Sequence, residues 1–432
     1  MRKGLTRMSR LNSRVFPIFY LVAGAYCSLS HAINYYPQFY QPRTFFGEPR
    51  LAYAGLTTIE AIVRGGHAFN GYDCSGNKVN ILGIYGCENL AAITQGVPES
   101  VLACNPDCIL NTIWQYRMYN QNAGKLVING KFSSIEFLPV FTQNFKHGFF
   151  ASLSIPIKKL SIVDINYTDL TTHGAFGSDI RFVDWQETTN QIEQIMACYG
   201  IHVGRTKTVG LGDVQLFGGW TINYEDTAVL DYVDATVALG INFPTSYRAD
   251  GSYVFALPLG YDGHVGIPLV LACSLGIFDW FTFGMQTGFL WFNDKLRCMP
   301  IKTAADQHGW IKLTRVPAVV QKGTVWHVDE YFKMDHLVGG FSVCVGFSHD
   351  HANRSKVMPI DPRISSCSII ESDERLAPWT TTAFHFVFEF DFATFDHPNV
   401  PRLALTIDKT IHGKRSFDAL LTGAFVGIDF EW

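Results

Sequence analysis

The sequence predicts an all-β chain: an antiparallel transmembrane β-barrel of about 12–14 strands, built from about residue 125 to Trp432. Three features predict it: long segments that alternate apolar and polar residues, a terminal strand ending on an aromatic residue, and a leader typical of exported proteins. The composition agrees, because 17% of the residues are charged and 14% are aromatic, whereas soluble domains contain about 25% charged residues.

The clearest alternation is FHFVFEFDF, residues 384–392, in which every second residue is phenylalanine. Period two is the period of a β-strand, because successive side chains point to opposite faces. The phenylalanine face could pack on the core of a soluble β-sandwich or meet lipid in a membrane barrel, with His385, Glu389 and Asp391 facing water or a lumen. This strand alone leaves both alternatives open.

Other segments alternate over greater lengths: residues 210–225, 229–243 and 335–348 each have one apolar and one polar or small face. Strands of β-sandwiches are usually about 5–6 residues long, whereas strands that cross a bilayer need about 9–11 residues. The lengths of these segments therefore favour a barrel. The apolar residues 266–292 contain one charge, Asp279, and have the hydropathy of a transmembrane helix. A hairpin that turns at residues 278–280 is the preferred prediction, because a charge costs little at a turn. Residues 184–200 predict a short helix in a long loop, with Gly200 at its C-terminal end.

The first 32 residues have the three-part layout of a secretory signal peptide. MRKGLTRMSRLNSR carries basic residues and no acid, an apolar run follows, and SHA ends it with small residues before a cut after Ala32. An uncleaved N-terminal anchor is the alternative. Cleavage lowers the number of lysines and arginines from 34 to 29, against 38 aspartates and glutamates. The mature chain then has a net charge near −9, which argues against a nucleic acid partner.

Residues 33–124 differ from the rest, with many Gly, Asn and Tyr residues and little clean alternation. Within them, GLTTIEAIVRGG (residues 55–66) predicts a short helix closed by glycine. An exported chain can form disulfides, and the cysteines clustered in this region are the candidates: Cys74, Cys87, Cys104 and Cys108.

The last strand places apolar residues at every second position back from the terminus: Trp432, Phe430, Ile428, Val426 and Ala424. A closed barrel requires its last strand to pair with its first, and a full-length amphipathic strand suits that closure. The pattern resembles the C-terminal assembly signal of bacterial outer-membrane barrels. That resemblance implies an outer-membrane location, lipid around the barrel, and the barrel-assembly machinery as a partner.

A further resemblance covers residues 210–295. GLGDVQL followed by a strand, and then VALGINFPTS, is similar to the outer-membrane transporter group of fatty-acid channels and phenol-degradation MetA-like proteins. Ser246 stands where that group has glycine, and residues 33–124 lack its Asn-Pro-Ala motif. The resemblance implies that residues 33–124 form a plug inside the barrel, with the four cysteines as its staples.

If the apolar faces meet lipid, the polar faces meet the lumen. The residues predicted to line it are Asp213, Asp234, His327, Asp329, His385, Glu389, Asp391 and Asp429. They could form a field that selects or gates solutes, or a set of paired charges that braces the wall. Both interpretations stay open here.

No catalytic constellation stands out, so the sequence predicts neither an enzyme nor a cofactor. His349, Asp350 and His351 lack a defined third ligand and predict no metal site. The predicted function is an outer-membrane channel or transporter for small solutes, hydrophobic ones among them. The alternatives are a non-transporting barrel that acts as an anchor or surface-interaction protein, and a secreted β-sandwich.

Overall fold

A computed structural model describes residues 56–90, 92–102, 124–171, 189–225, 230–277, 280–392 and 401–431. The strands of its first half are β1 (Leu56–Ala68), β2 (Asn70–Tyr72), β3 (Lys78–Asn80), β4 (Glu88–Asn89), β5 (Lys125–Asn144), β6 (Phe149–Ser154), β7 (Ile157–Asp169), β8 (Thr206–Leu211), β9 (Val214–Glu225), β10 (Tyr232–Phe243) and β11 (Gly266–Ile277). The later strands are β12 (Phe281–Phe292), β13 (Lys295–Pro300), β14 (Arg315–Gln321), β15 (Val325–Val338), β16 (Phe341–Ala352), β17 (Lys356–Pro359), β18 (Trp379–Asp391), β19 (Pro401–Lys414), β20 (Ser416–Phe417) and β21 (Leu420–Glu431).

The helices are short: α1 (Glu99–Leu102), α2 (Ile192–Cys198) and α3 (Cys367–Glu371), with 3-10 turns at Ile81–Gly83, Lys146–Gly148 and Glu374–Leu376. Among the described residues, none of the helices is both long and apolar enough to cross a membrane.

The wall is a closed antiparallel barrel of 12 strands, in the order β1, β21, β19, β18, β16, β15, β12, β11, β10, β9, β6 and β5, with β5 returning to β1. Closure pairs Leu56 of β1 with Glu431 of β21, and Thr57 with Gln143 of β5. β7 continues β6 along β5, and β8 continues β9 along β7. The predicted all-β barrel is therefore confirmed.

The two ends of the barrel differ in the length of their connections. At one end, the turn end, the strands are joined by residues 145–148, 226–231, 278–280, 339–340 and 392–400. The start of β1 and the end of β21 meet at this end. At the other, the loop end, the connections are residues 69–124, 170–205, 244–265, 293–324, 353–378 and 415–419. Outer-membrane barrels place their short turns toward the periplasm and their long loops outside.

The outer face of the wall is an apolar belt. The phenylalanines of β18 at positions 384, 386, 388 and 390 lie on the outer face. Their rings contact one another along the strand, with ring centroids of Phe384 and Phe386 5.7 Å apart and those of Phe386 and Phe388 5.0 Å apart. Exposed Leu405 (61%) and Val426 (43%) continue the belt on β19 and β21. The predicted hairpin at residues 266–292 is confirmed as β11 and β12.

The helix predicted over residues 55–66 is wrong, because residues 56–66 form most of β1. Thr58, Glu60 and Ile62 are buried inward while Ile59 and Val63 are exposed at 39% and 50%. The segment is a strand because it pairs along its whole length with both β5 and β21, which a helix could not do.

The expected boundary near residue 125 also needs correction, because β1, which begins at Leu56 in the described part of the chain, belongs to the wall. A plug formed by residues 33–124 is not confirmed. Residues 33–55 and 103–123 lie outside the described residues, and the described part after β1 packs among the loops at the loop end.

The predicted strand at residues 335–348 is divided between β15 and β16. Gly339 and Gly340, with φ of 55° and 91°, form the turn that separates them, a conformation that favours glycine. Of the helix predicted over residues 184–200, residues 192–198 form α2, which ends before Gly200 at φ 69°. Residues 184–188 lie outside the described residues.

One acidic residue interrupts the apolar belt. Glu330 is exposed on the outer face of β15, midway between Trp326 and Met334, and it lies opposite Met285 on β12 and Phe347 on β16. We expect Glu330→Leu to stabilise the barrel by about 1–2 kcal/mol, because an ionised group facing lipid near the belt centre is unfavourable. Urea unfolding in lipid vesicles measures this, with Glu371→Leu on the exposed helix α3 as control. Equal effects of both substitutions would contradict it.

Candidate functional site

The inward faces of the wall strands carry the residues that the sequence predicted for the lumen. Alternation along a strand places every second side chain on this face. The structure places the predicted residues there, buried or half-buried: Asp213, Asp234, His327, Asp329, His385, Glu389, Asp391 and Asp429. Asp213 differs from the others because it lies between β8 and β9 and not within a strand.

A cavity of about 300 Å³ lies inside the barrel, lined mainly by residues of β5 to β12. Apolar side chains such as Leu138, Phe217 and Leu290 form much of its lining. Of the predicted lumen residues, Asp213 and His327 line it. Its other charged lining residues are Glu60, Glu136, Lys158 and Arg402. A cavity of this size with apolar walls and a few charges suits a small solute with both kinds of surface.

Arg402 on β19 is the centre of the first charge cluster, which we call the Arg402 cluster. Its guanidinium lies 3.3 Å from Glu60 of β1, 3.7 Å from Glu389 of β18 and 3.6 Å from Asp429 of β21. It also lies 5.6 Å from the ring centroid of Phe425. Arg402 is 5% exposed, and a buried cation that holds several carboxylates fixes the strands that carry them.

A second cluster is a hydrogen-bonded chain across four strands. Arg64 Nη1 lies 3.1 Å from Asp408 Oδ2, His385 Nδ1 lies 2.7 Å from Asp408 Oδ1, and His385 Nε2 lies 2.7 Å from the hydroxyl of Ser348. Ser, His and Asp stand here in the order of a hydrolase triad. However, Ser348 is only 5% exposed, and it lies opposite Asp329 on the neighbouring strand β15. The Asp329 carboxylate would repel a negatively charged oxyanion beside Ser348. We therefore interpret the chain as a brace of the wall.

The remaining lumen charges also have partners. His327 contacts Asp329 and lies 3.0 Å from Asp350, and Lys158 lies 3.4 Å from Glu136 beside the cavity. These contacts support the bracing interpretation for individual residues. They do not neutralise the lumen, because inward carboxylates outnumber inward lysines and arginines, as the Arg402 cluster illustrates.

The loop end of the lumen is covered by a hydrophobic core shared between loops, which we call the loop core. Its buried members come from several connections, among them Leu82, Phe255, Leu259 and Trp310. Trp310 Nε1 donates to the carbonyl of Leu82 at 2.7 Å. Tyr261, 6% exposed, belongs to this core and also lines the cavity beneath it. The loops therefore form the roof of the cavity.

The two motifs that carry the transporter resemblance contact each other. The Asp213 carboxylate accepts hydrogen bonds from the backbone N–H of Ser246, at 3.0 Å, and of Tyr261. The Thr245 hydroxyl donates to the carbonyl of Gly212 at 2.8 Å and accepts from Val214 N–H at 3.0 Å. This bracket, Gly212–Val214 with residues 245, 246 and 261, ties the loop of residues 244–265 to the wall.

Glu88 is a buried acid of the loop core. Burial raises its pKa from 4.5 to about 7, although nearby Lys312 and the backbone N–H groups of Trp310 and Ile311 favour the charged form. A raised acid pKa stabilises the folded loops at low pH, and this contribution is lost as the pH rises from about 4.5 through about 7. Burial lowers the pKa of Lys312 to about 8, so Lys312 remains charged in most of this window.

We therefore expect amide hydrogen exchange in residues 306–314, corrected for the intrinsic rate, to be about tenfold or more faster at pH 7.5 than at pH 5. Glu88→Gln keeps a hydrogen-bond acceptor and removes the titration, so this variant should exchange almost equally at both values. A wild-type protein without pH dependence in this segment would contradict the expectation.

The cysteine and metal predictions have separate outcomes. Cys74 and Cys87 are free and exposed, so these two do not form the expected disulfides with each other, and Cys104 and Cys108 lie outside the described residues. In the part of the chain that the structure describes, no group of three or more His, Cys, Asp or Glu residues is placed to hold a metal ion.

Sequence reasoning missed the charged residues that line the cavity itself. The helix predicted over residues 55–66 does not place Glu60 on an inward face. Glu136 and Lys158 lie at buried positions in the alternation of β5 and β7, which is the signal that could identify them. The alternation PRLALTID, residues 401–408, would have placed Arg402 on the inward face beside Ala404 and Thr406.

No protein-family model matches this chain, and no curated protein matches its sequence. Among solved structures, an outer membrane channel from Pseudomonas putida F1 matches with a TM-score of 0.50 and 10% identity, covering 88% of this chain and 96% of that one. The translocator domain of the autotransporter NalP from Neisseria meningitidis (TM-score 0.33, 10% identity, 88% and 89% covered) and the toluene transporter TbuX from Ralstonia pickettii (0.32, 7%, 88% and 90%) are more distant. The first match shows the fold: this chain has the fold of bacterial outer-membrane channel barrels, as its terminal strand suggested.

Proposed function

We propose that this protein is a channel of the bacterial outer membrane that lets small solutes, hydrophobic ones included, diffuse through its lumen. The observation that carries this proposal is the cavity of about 300 Å³ inside a closed barrel, lined by both apolar and charged side chains. The fold shared with a Pseudomonas putida outer membrane channel supports it. The loop of residues 244–265 covers the cavity and sets access to it.

The route to the membrane follows from the two ends of the chain. Residues 1–32 act as a cleaved signal peptide, and the terminal strand, with Ala424, Val426, Ile428, Phe430 and Trp432, is recognised by the barrel-assembly machinery. Membrane fractions from cells expressing the full chain test this: the folded barrel should migrate differently on a detergent gel before and after boiling. Deletion of Trp432 should reduce the folded form, and an unchanged amount would contradict the role of this strand.

The charge of the lumen predicts the ionic preference of the channel. Inward carboxylates outnumber inward lysines and arginines, so a cation should enter the lumen at lower cost than an anion. In a planar bilayer with a salt gradient, the reversal potential should therefore indicate cation preference. Anion preference would contradict the proposed path through the cavity.

A non-transporting barrel is the second candidate, and one observation favours it: the loop core covers the cavity while charge clusters brace its walls. If this candidate is correct, the wild-type protein should pass no current. Variants that remove the contacts of Asp213 with the loop of residues 244–265 should pass none either, although all of them fold. A current in the released variants would exclude it.

A further inference from the structure

We propose that a patch of basic and hydroxyl side chains on the outside of the barrel binds the phosphorylated headgroup of a lipid in the leaflet at the loop end. The patch consists of Lys131 on β5, Lys159 on β7 and Lys207 on β8, with Ser133, Ser161 and His67 between and beside them. It requires the membrane placement of the barrel and does not depend on transport.

The pairing of the strands brings these residues together. His67 of β1 lies opposite Ser133, Ser133 lies opposite Ser161, and Ser161 lies opposite Lys207, so a row of hydrogen-bonding side chains crosses adjacent strands. Lys159 stands on the same face two positions before Ser161. Their neighbours Phe132, Ser134, Leu160, Ile162 and Thr206 are buried on the other face, so the row points outward.

The lysines are available to a ligand. None of the three is ion-paired with another described residue. Lys131 instead lies over the ring of Phe69, 5.0 Å from its centroid, and this contact holds the ammonium group at the surface. Ammonium and hydroxyl groups on one surface supply the donors that phosphate oxygens accept.

The position of the patch selects a lipid over free phosphate. Directly toward the turn end on the same strands, the outer face becomes apolar, with Ile135, Phe137, Ile157 and Leu211 exposed at 49%, 40%, 45% and 37%. Two residues along a strand cover about 6.6 Å. A headgroup held by the lysines therefore places its acyl chains against these residues, whereas a free phosphate gains nothing from them.

One acid opposes binding. Asp164 is exposed on β7 directly after Val163, the residue opposite Lys131. Its φ of 54° lies in the left-handed region, which asparagine tolerates well. Asp164→Asn therefore removes a negative charge beside the patch without straining the backbone, and it should tighten lipid binding two- to fivefold.

The test titrates the folded full-length protein in an uncharged detergent with phosphatidic acid and counts bound lipid by native mass spectrometry. The triple variant K131Q/K159Q/K207Q should bind about a hundredfold more weakly, from about fivefold for each lysine. The matched variant K146Q/K356Q/K414Q removes the same charge from exposed lysines elsewhere and should bind within twofold of wild type. The variant K131R/K159R/K207R should keep the affinity.

Heat-modifiability confirms that each variant is folded before the comparison. Equal losses in both glutamine variants would overturn the proposal, since bulk charge would then explain binding. Binding of inorganic phosphate as tight as that of phosphatidic acid, or displacement of the lipid by an equal concentration of phosphate, would also overturn it, because the lipid chains would then contribute nothing.

Discussion

Arg402→Met is expected to destabilise the barrel by about 3–5 kcal/mol, the usual cost of breaking a buried ion pair by removal of one partner. The substitution leaves Glu60, Glu389 and Asp429 facing one another without their cation, on three different strands. Methionine fills much of the space of the aliphatic part of the arginine side chain. The loss of stability therefore comes from the missing charge more than from missing volume. Urea unfolding of the protein in lipid vesicles gives the free energy.

The control for this prediction is Arg363→Met, since Arg363 also pairs with a carboxylate but its side chain is 88% exposed. It should change the free energy of unfolding by no more than about 0.5 kcal/mol. Glu60→Gln in the Arg402→Met background should restore part of the stability, because it removes one of the unpaired charges. A cost below about 1 kcal/mol for Arg402→Met would contradict the central role of Arg402.

Asp213→Ala is expected to open the roof of the cavity and to raise channel conductance about tenfold. The carboxylate holds the backbone N–H groups of Ser246 and Tyr261, and leaving both without an acceptor costs about 1–3 kcal/mol each. A free-energy change of this size increases the population of the open loop tenfold or more. Single-channel recording in planar bilayers measures the effect.

Gly260→Ala tests the same bracket without removing the charge. A Cβ at Gly260 would lie 2.3 Å from the Asp213 carboxylate, so the loop must move away. Asp250→Ala is the matched control, because exposed Asp250 lies in the same loop and bonds Ser252 within it. Conductance should rise in the first variant and stay at the wild-type value in the control. An unchanged conductance in both Asp213→Ala and Gly260→Ala would contradict the role of the bracket.

Much of the wall could be predicted from the sequence because alternation is a local property of the strand. The outward phenylalanines of residues 384–392 and the hairpin of residues 266–292 follow from the spacing of side chains along the backbone. The prediction failed at β1, where Glu60, Ala61 and Arg64 have good helix propensity and two glycines follow. At β1 the neighbouring strands determine the conformation. A Cβ at Gly66 would lie 2.1 Å from the carbonyl of Leu420, so glycine is needed there for the close approach of β21 and does not end a helix.

The sequence by itself determined the class of fold, the faces of most strands and the acidic character of the inward side. Only the tertiary structure decided which charges pair and what covers the lumen. Arg402 and Glu60 are separated by 342 positions, and they meet because closure of the barrel inserts β21 between β19 and β1 and sets the register across all three. Likewise, Asp213 meets Tyr261 only when the loop folds back on the wall. Alternation is set by bonds between neighbouring residues, whereas these contacts depend on the register of distant strands, which local spacing does not contain.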